Sequence, residues 1–247
     1  MELSLVIPAY NEAANIEAFV AAFIEDLPPA TREVLHEIVI VENGSKDGTL
    51  DACQRLYDRF PALVRVLSNK RGSYGEAIKR GMLESRGTHI SVLECDFLDA
   101  EFVAASAQLF EAGKARFIVA SKRHRASTDR RPLKRRVLTR VFNGILGVFT
   151  GYPGTDTHGL KSVEASLAKQ LCAQCLTTDE IFQTEFVLLA WRQGVEIHEL
   201  PIQIRETRAT PLSIRRRAPM VIDTIRQLRR SLRRFPRVAH RQGSGPG

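Results

Sequence analysis

Apolar runs alternate with amphipathic stretches along the first 120 residues of the chain. Residues 3–7 form an apolar run that ends at Pro8, a pattern typical of a buried strand. Residues 12–27 then carry apolar side chains at a spacing of three and four, which predicts a helix. The alternation continues with predicted strands at 36–42, 63–68, 89–94 and 115–121, and predicted helices at 47–60, 74–85 and 99–111.

This order of elements predicts the class of fold. Strands that alternate with helices at this pace form right-handed βαβ units and a mostly parallel sheet. Strands that are apolar almost throughout are expected to be covered on both faces. We therefore expect an α/β fold with a mostly parallel sheet flanked by helices.

The pattern changes after residue 121. We predict a basic loop at 122–136, helices at 135–149, 162–175 and 179–193, a loop at 151–159, a strand at 195–206 and an amphipathic helix at 219–235. The expected organisation is one domain over 1–214, a basic amphipathic C-terminal helix over 215–238 and a flexible tail over 239–247.

Composition and charge narrow the classes of function. The 247 residues carry a formal net charge of +8, concentrated in basic blocks at 122–140 and 205–237, so an acidic partner is plausible. The blocks could also be ordinary solvated faces. They lack interleaved aromatic residues, which argues against a nucleic-acid partner. Four scattered cysteines favour a reducing compartment, and we find neither a signal-peptide pattern nor an apolar run long enough to span a bilayer.

Polar loops follow four of the predicted strands, at 8–12, 42–49, 69–77 and 94–96. Ligands of an open parallel sheet bind beyond the carboxyl ends of its strands, where these loops should meet. The last loop holds two acids, Glu94 and Asp96, with one residue between them. Like charges this close are tolerated when a cation lies between them, although one of the two could instead cap the next helix.

The motifs in these loops occur in a familiar order. The stretches LSLVIPAYNEAANI, IVIVENGSKDGT and RGSYGEAIKRGMLESRG, followed by the two acids, resemble family 2 glycosyltransferases with the GT-A nucleotide-diphospho-sugar transferase fold. DTHGLK and DEIFQTEFVLLAWRQGVEIHELPIQIRETR resemble the polyprenyl-phosphate (dolichyl-phosphate) mannosyl- and glucosyltransferase branch. The similarity covers about residues 3–214.

The resemblance implies roles for individual residues of this chain. The implied nucleotide-sugar contacts are Pro8, Tyr10, Glu12, Glu42, Asn43, Gly75, Lys79 and Asp96. Glu94 and Asp96 would bind a divalent cation, Mg²⁺ or Mn²⁺, that bridges the donor's phosphates. The implied catalytic positions are Asp96 and, near the sugar, Asp156, Gln183 and Glu185, with loop caps or polar helix faces as the alternative for the last three.

Basic residues have implied roles at the acceptor and at the diphosphate. Lys122, Arg135 and Thr139, with Arg123 nearby, match the acceptor-phosphate contacts of the family, and Arg208 is a candidate for the diphosphate. His158 is expected to be an ordinary loop histidine, although it could touch ligand.

The chain also departs from the pattern of the family. Glu94 stands in place of an aspartate, and Asn43 stands where a second aspartate is frequent. Leu98 occupies a position that often offers an amide to the metal, and Ser213 replaces an expected lysine. These departures admit an altered metal site or an inactive member of the family.

The leading hypothesis is an inverting glycosyltransferase. It would move a hexose from GDP-mannose or UDP-glucose to a polyprenyl phosphate, as a peripheral protein on the anionic, cytoplasmic face of the inner membrane. One alternative is a soluble hydroxyl acceptor, which would require Asp156 or Glu185 as a base. Another is a non-catalytic nucleotide-sugar sensor. The oligomeric state stays open.

Overall fold

The computed structural model describes residues 1–130, 132–204, 226–228, 230 and 233–234, and for residues 129, 134, 135 and 138 the description covers the backbone alone. The strands are β1 Leu3–Ala9, β2 Leu35–Glu42, β3 Val64–Ser68, β4 His89–Val92, β5 Phe117–Ser121, β6 Thr128–Asp129, β7 Lys161–Glu164, β8 His198–Pro201 and β9 Gln203–Ile204. The helices are α1 Ile16–Asp26, α2 Pro29–Val34, α3 Thr49–Arg59, α4 Tyr74–Glu84, α5 Ala100–Glu111, α6 Leu133–Thr150, α7 Ala165–Gln174 and α8 Phe182–Arg192.

Seven of the strands form one sheet in the order β3-β2-β1-β4-β7-β5-β8. Neighbouring strands are parallel except at β7, which runs antiparallel to both β4 and β5. The short strands β6 and β9 pair in parallel as a separate ribbon. The prediction of a mostly parallel sheet flanked by helices is therefore confirmed.

The sheet is buried on both faces, as the apolar strands predicted. Along β1, Leu5 and Ile7 belong to the core on one face, whereas Val6 between them belongs to the core on the other. The helices α1, α3 and α5 contribute to the first core, and α4, α7 and α8 to the second. Because helices cover both faces of the sheet, a polar site must lie at the ends of the strands.

The helix predicted at 162–175 is wrong at its start, because residues 161–164 are extended. They form β7 instead, with Ser162 Oγ and Ser91 Oγ 2.7 Å apart across the β4–β7 pair. Val163 is the one apolar residue of these four, so the segment carries too weak an apolar signal to reveal a central strand. Only the pairing with β4 and β5, far away in sequence, makes this segment extended.

Smaller differences affect short elements. Helix α2 and strand β6 were not predicted, and the strand predicted at 195–206 is divided into β8 and β9. The helix predicted at 219–235 lies largely outside the described residues, although residues 226–228 are helical and Leu228 is buried in the core. Among the helices that the structure describes, none is both long enough and apolar enough to cross a membrane.

Candidate active site

A cavity of about 350 Å³ opens at the carboxyl ends of the central parallel strands. It is lined by Pro8, Ala9, Tyr10, Glu12, Asn43, Tyr74, Glu94, Cys95, Asp96, His158, Glu180 and Gln183. The loops after β1, β2 and β4 and the start of α4 all contribute. These are the loops that the sequence analysis predicted to meet, so the site lies where the topology of the sheet requires it.

The loops after β1 and β2 are joined by hydrogen bonds at the wall of the cavity. The Asn43 N–H donates to the Ala9 carbonyl at 2.9 Å, and Asn43 Oδ1 accepts from the Ser73 N–H at 3.0 Å. Asparagine and aspartate both have this acceptor oxygen, so Asn43 can make the bond that an aspartate at this position would make. Pro8, Tyr10 and Glu12 also line the cavity, as the resemblance implied.

Glu42 lies at the end of β2, next to Asn43. It is buried and does not line the cavity. One carboxylate oxygen accepts from the Ser45 N–H at 2.5 Å, and the other accepts from the Ser68 hydroxyl at 2.8 Å. Glu42 therefore stabilises the loop beneath Asn43, because both of its oxygens are already bound within the protein.

Gly75 and Lys79 lie on α4, outside the lining of the cavity. A Cβ atom on Gly75 would be 2.2 Å from the Asp179 carbonyl oxygen, so this glycine allows α4 to pack against the 178–182 segment. Lys79 Nζ donates to the Cys175 carbonyl at 3.0 Å. Both residues hold α4 against the segment after α7, and the residue of α4 that lines the cavity is Tyr74.

The two acids after β4 lie in a tight turn. The Phe97 N–H donates to the Glu94 carbonyl at 2.8 Å, and Asp96 is exposed at the rim of the cavity. The residue that caps α5 is Asp99, whose Oδ1 accepts from the Phe102 N–H at 2.8 Å. The capping alternative for Glu94 and Asp96 is therefore wrong.

The donor set at this turn fits a hard divalent cation. Glu94 and Asp96 offer carboxylate oxygens to one cavity, and oxygen is the ligand that Mg²⁺ and Mn²⁺ prefer. Within the described part of the chain, neither carboxylate has a salt-bridge partner, and no group of three potential metal ligands occurs. Such a pair suits a cation that takes its remaining ligands from a diphosphate and water. Leu98 offers no oxygen or nitrogen from its side chain.

A series of hydrogen bonds runs from the Glu94 carboxylate to the opposite wall of the cavity. Gln183 Nε2 donates to Tyr74 Oη at 2.7 Å, and Tyr74 Oη lies 3.4 Å from Glu94 Oε1. On its other side, Gln183 Oε1 accepts from Lys161 Nζ, which also donates to the Gly159 carbonyl at 2.8 Å. Gln183 thus lies at the cavity, in agreement with the position that the resemblance implied.

Lys161 is a buried lysine at the end of this series of hydrogen bonds, next to Gln183. It is 1% exposed, and the loss of hydration lowers its pKa to about 7, although Asp156 and Glu94 act in the opposite direction. Burial is costly for an ammonium group, so its acceptors on Gly159 and Gln183 are needed to hold it there. The lysine is the first residue of β7, the strand that the sequence pattern concealed.

Asp156 lies next to the cavity and does not line it. It is 2% exposed, Oδ1 accepts from the His158 N–H at 2.9 Å, and Oδ2 has no hydrogen-bond partner among the described residues. Burial raises its pKa, while the positive charges of Lys122 and Lys161 work against that rise. An unpartnered buried carboxylate oxygen favours a role for Asp156 beyond that of a loop cap.

His158 lines the cavity and is not an ordinary surface histidine. Burial, together with the charges of Lys161 and Lys122, lowers its pKa to about 3. Its ring packs edge-on against Phe142 of α6, with centroids 5.7 Å apart. A neutral imidazole therefore faces the cavity at physiological pH.

Glu185 lies on α8 but is turned away from the cavity. Its carboxylate accepts from the backbone N–H groups of Leu176 and Thr177, at 3.0 and 2.8 Å, and from the Thr177 hydroxyl at 2.5 Å. The side chain is fully buried and is absent from the lining. Glu185 therefore holds the segment after α7 in place.

The acceptor-side residues follow β5. Lys122 is half-buried and lies close enough to Asp156 to affect its pKa, whereas Arg123 is exposed. Thr139 is half-buried on α6. Of Arg135 only the backbone is described, at the start of α6, and Arg208 lies outside the described residues.

The sequence analysis assigned no role to the side chains of Tyr74, Lys161 and Glu180, which belong to the cavity or to its hydrogen bonds. Tyr74 begins α4 within the polar loop predicted at 69–77, and Lys161 is the last residue of the motif DTHGLK. Both residues therefore belong to sequence features that were already associated with the site. Glu180 enters the lining only because the 178–182 segment packs against Gly75. No local pattern predicts that contact.

Two known glycosyltransferases are similar in sequence to most of this chain. A dolichyl-phosphate beta-glucosyltransferase of Saccharomyces cerevisiae is 26% identical over 235 residues, covering 86% of this chain and 69% of the relative. The glycosyltransferase AglD of Haloferax volcanii is 27% identical over 206 residues, covering 82% of this chain but only 33% of its own length. The chain therefore spans about a third of that archaeal relative.

A solved structure extends the likeness to the fold. Glucosyl-3-phosphoglycerate synthase from Mycobacterium tuberculosis, in complex with Mn²⁺, UDP-glucose and phosphoglyceric acid, superposes with a TM-score of 0.68 at 18% identity, covering 93% of this chain and 79% of that one. This confirms the GT-A fold. The family model for glycosyl transferase family 2 matches residues 4–163 of the 247. The chain belongs to glycosyl transferase family 2.

Proposed function

We propose that this protein transfers a hexose from a nucleotide diphosphate sugar to a polyprenyl phosphate. The observation that carries the proposal is a single cavity that joins the polar loops of β1 and β2 to the acidic pair Glu94 and Asp96. The names of the relatives, dolichyl-phosphate beta-glucosyltransferases, support a lipid-phosphate acceptor and favour glucose over mannose. Under this proposal UDP-glucose is the first donor to test.

The donor would occupy the cavity with its nucleoside against the loop after β1 and its diphosphate at the β4 turn. Pro8, Tyr10 and Asn43 would contact the nucleoside. Glu94 and Asp96 would hold Mg²⁺ or Mn²⁺, which would neutralise the charge that develops on the departing diphosphate. Arg208 stays a candidate for the same diphosphate.

The acceptor would attack without a strong general base. A phosphate oxygen is already anionic, so it can form the new bond to the anomeric carbon as the bond from that carbon to the donor diphosphate breaks. Attack from the face opposite the leaving group inverts the anomeric centre. Lys122, with Arg123, Arg135 and Thr139, would hold the acceptor phosphate, since Lys122 follows β5 directly and lies near Asp156.

A soluble hydroxyl acceptor receives less support from the site. It would need a base, and the two carboxylates considered for that role are poorly placed for it. Glu185 is bound to the backbone of residues 176–177, and Asp156 does not line the cavity. The lipid-phosphate proposal requires neither of them as a base.

The exposed side of α6 is the proposed membrane-facing surface. Leu133, Val137, Val141 and Val148 recur at helical spacing and are 67, 47, 51 and 84% exposed. Arg136 and Arg140 lie on the same helix. An apolar stripe accompanied by arginine suits the surface of an anionic bilayer, where a polyprenyl phosphate would be presented.

The test is transfer of radiolabelled glucose from UDP-glucose to a polyprenyl phosphate with Mn²⁺, compared with GDP-mannose as the donor. Lys122→Ala should lower transfer to lipid phosphate by at least about tenfold while leaving UDP binding unchanged, because one charge-assisted contact to an anion is worth about 1.5–3 kcal/mol. Arg116→Ala removes an exposed cation that pairs with Glu164, and it provides the matched control.

Three outcomes would contradict parts of the proposal. Transfer to a sugar hydroxyl but not to lipid phosphate would establish the alternative acceptor. Binding of UDP-glucose without transfer to any acceptor would indicate a sensor. Strong, salt-dependent binding of DNA or RNA with no effect of nucleotide sugars would indicate a nucleic-acid protein.

A further inference from the structure

Tyr74 touches both functional sides of the cavity. Its Oη lies 3.4 Å from Glu94 Oε1 on the cation side, and it accepts from Gln183 Nε2 at 2.7 Å on the opposite side. Among the residues that line the cavity within the described chain, Tyr74 is the one with a hydrogen-bond contact to Glu94. A residue in this position can couple the orientation of the Glu94 carboxylate to that of the Gln183 side chain.

Two donors determine the direction of the hydrogen bonds along this series of side chains. Lys161 Nζ and the Gly159 N–H both donate to Gln183 Oε1, so the side of Gln183 that faces them is the oxygen. Gln183 therefore presents its NH₂ group to Tyr74, and Tyr74 Oη accepts there. The one proton on Oη is then free to be donated to Glu94, and the chain runs from an ammonium group to a carboxylate.

Backbone contacts hold Tyr74 and Gln183 in register. The Glu76 N–H donates to the Thr178 carbonyl at 2.7 Å, and the Ser73 hydroxyl donates to the same oxygen. The close approach at Gly75 leaves no room for a side chain between α4 and the 178–182 segment. The start of α4 and the start of α8 are thus fastened together, which preorganises the contact between the two side chains.

The phenol of Tyr74 keeps its proton. The ordinary pKa of a tyrosine phenol is about 10, well above physiological pH. The hydroxyl group can therefore act as a donor to Glu94 over the whole physiological range of pH.

We propose that Tyr74 is a positioning residue that orients Glu94 for the cation and, through Gln183 and Lys161, couples the cation side of the cavity to its sugar side. The inference rests on the proposed function. Glutamate has one more rotatable bond than the aspartate implied at this position, so it has more need of a second partner to orient it. Carboxylates that bind metals are commonly held by such outer hydrogen bonds, and their loss typically costs about 10–100-fold in metal affinity or activity.

The experiment measures binding of Mn²⁺ in the presence of saturating UDP, by the electron paramagnetic resonance signal of free Mn²⁺, without any transfer reaction. Tyr74→Phe keeps the ring and removes only the hydroxyl group, so we expect the Kd for Mn²⁺ to rise roughly tenfold. The matched control is Tyr57→Phe, which removes a hydroxyl group from an exposed tyrosine on α3, outside the cavity. Its Kd should equal that of the wild type.

Gln183→Met tests the coupling separately, because Gln183 has no hydrogen bond to Glu94. We expect it also to weaken Mn²⁺ binding, and the double variant with Tyr74→Phe should lose no more than the larger single loss. This second variant carries the test if Tyr74→Phe fails to fold. A role of Tyr74 in packing alone predicts no change in the Kd, since phenylalanine packs in the same way.

The outcomes separate the two proposals. If the wild type binds Mn²⁺ with UDP but Tyr74→Phe and Gln183→Met bind it equally well, the role of Tyr74 is overturned and the proposed function stands. If both variants weaken binding but their effects simply add, the coupling through Gln183 is overturned. If the wild type binds no Mn²⁺ with UDP or GDP, both the cation site and the role of Tyr74 are overturned.

Discussion

At the scale of single residues, some residues that the resemblance places near the nucleotide sugar make their contacts within the protein. Gly75 and Lys79 lie on α4 and Glu42 ends β2, two elements next to the cavity, yet their atoms contact other parts of the protein. Glycine at position 75 is required by a neighbouring carbonyl oxygen at 2.2 Å from any added Cβ. A residue can therefore be essential to the site without touching what the site binds.

Gly75→Ala should destabilise the protein. The added methyl group would meet Asp179 O and Phe182 Cβ, so we expect a loss of about 1–3 kcal/mol in the free energy of unfolding, measured by denaturant titration. Gly144→Ala on α6 is the control, because a Cβ there meets nothing within 4 Å. It should be neutral or stabilising by up to about 1 kcal/mol, and an equal loss in both variants would contradict this account.

Glu37 predicts a pH dependence of stability. Burial alone would raise its pKa, but hydrogen bonds from Arg65, the Arg86 N–H and Ser4 outweigh that effect and lower the pKa. Because the folded state binds the proton less tightly than the unfolded state, the carboxylate stabilises the fold above its unfolded pKa. That contribution is lost as the pH falls through the lower, folded pKa.

Glu37→Gln should therefore cost about 1–3 kcal/mol at pH 7, where the charged hydrogen bonds are intact in the wild type. The difference between the two proteins should shrink towards pH 3, which urea unfolding at several pH values would measure. Glu84→Gln, at a more exposed pair with Arg80, serves as the comparison and should change stability by less than about 1 kcal/mol. A cost for Glu37→Gln that is constant with pH would exclude the linkage.

At the scale of elements, α6 combines an inner face that supports the site with an outer face that is apolar. Asn143 Nδ2 donates to the Thr155 carbonyl at 2.7 Å, which fixes the loop that carries Asp156. On the other side, Val137 and Val141 are about half exposed. The same helix would thus connect the membrane surface with the loop at the acceptor side.

Val137→Asp combined with Val141→Asp should weaken binding to vesicles that contain an anionic lipid by at least about tenfold. Each valine loses apolar contact worth about 1–2 kcal/mol, and each aspartate is repelled by the lipid charge. Co-sedimentation measures the effect, and Leu83→Asp on α4 provides a control at a similarly exposed apolar position. Equal losses in both variants would argue against α6 as the membrane-facing surface.

At the scale of the whole molecule, ligand binding should be visible as a gain in stability. A ligand at about 100 times its Kd adds about 2.7 kcal/mol when it binds only the folded state. For a chain of this size that corresponds to a rise in Tm of roughly 5–10 °C. A thermal-shift screen of nucleoside diphosphates with and without Mn²⁺ would therefore identify the base and the cation requirement together.

Asp96→Asn should remove most of the Mn²⁺-dependent part of that rise and leave the Tm of the free protein unchanged, because Asp96 is exposed and has no salt-bridge partner among the described residues. Asp58→Asn on the exposed side of α3 is the control. An undiminished Mn²⁺ effect in Asp96→Asn would mean that the cation binds elsewhere.

The local pattern of apolar and polar residues was sufficient to predict much of the fold and part of the site. The apolar runs of β1 to β5 and the helical spacing between them predict the parallel half of the sheet, because burial on both faces leaves a signal in every strand residue. Glu94, Asp96 and the loops after β1 and β2 follow from that topology, since the carboxyl ends of parallel strands must meet at one edge.

The tertiary structure decided the rest. Strand β7 exists because β4 and β5 pair with it, and it brings Lys161 beneath Gln183. The contact at Gly75 brings Tyr74 to Gln183, and hydrogen bonds to residues 176–177 turn Glu185 away from the cavity. The side-chain contacts among these placements join residues from 8 to 109 positions apart, and no local periodicity encodes them.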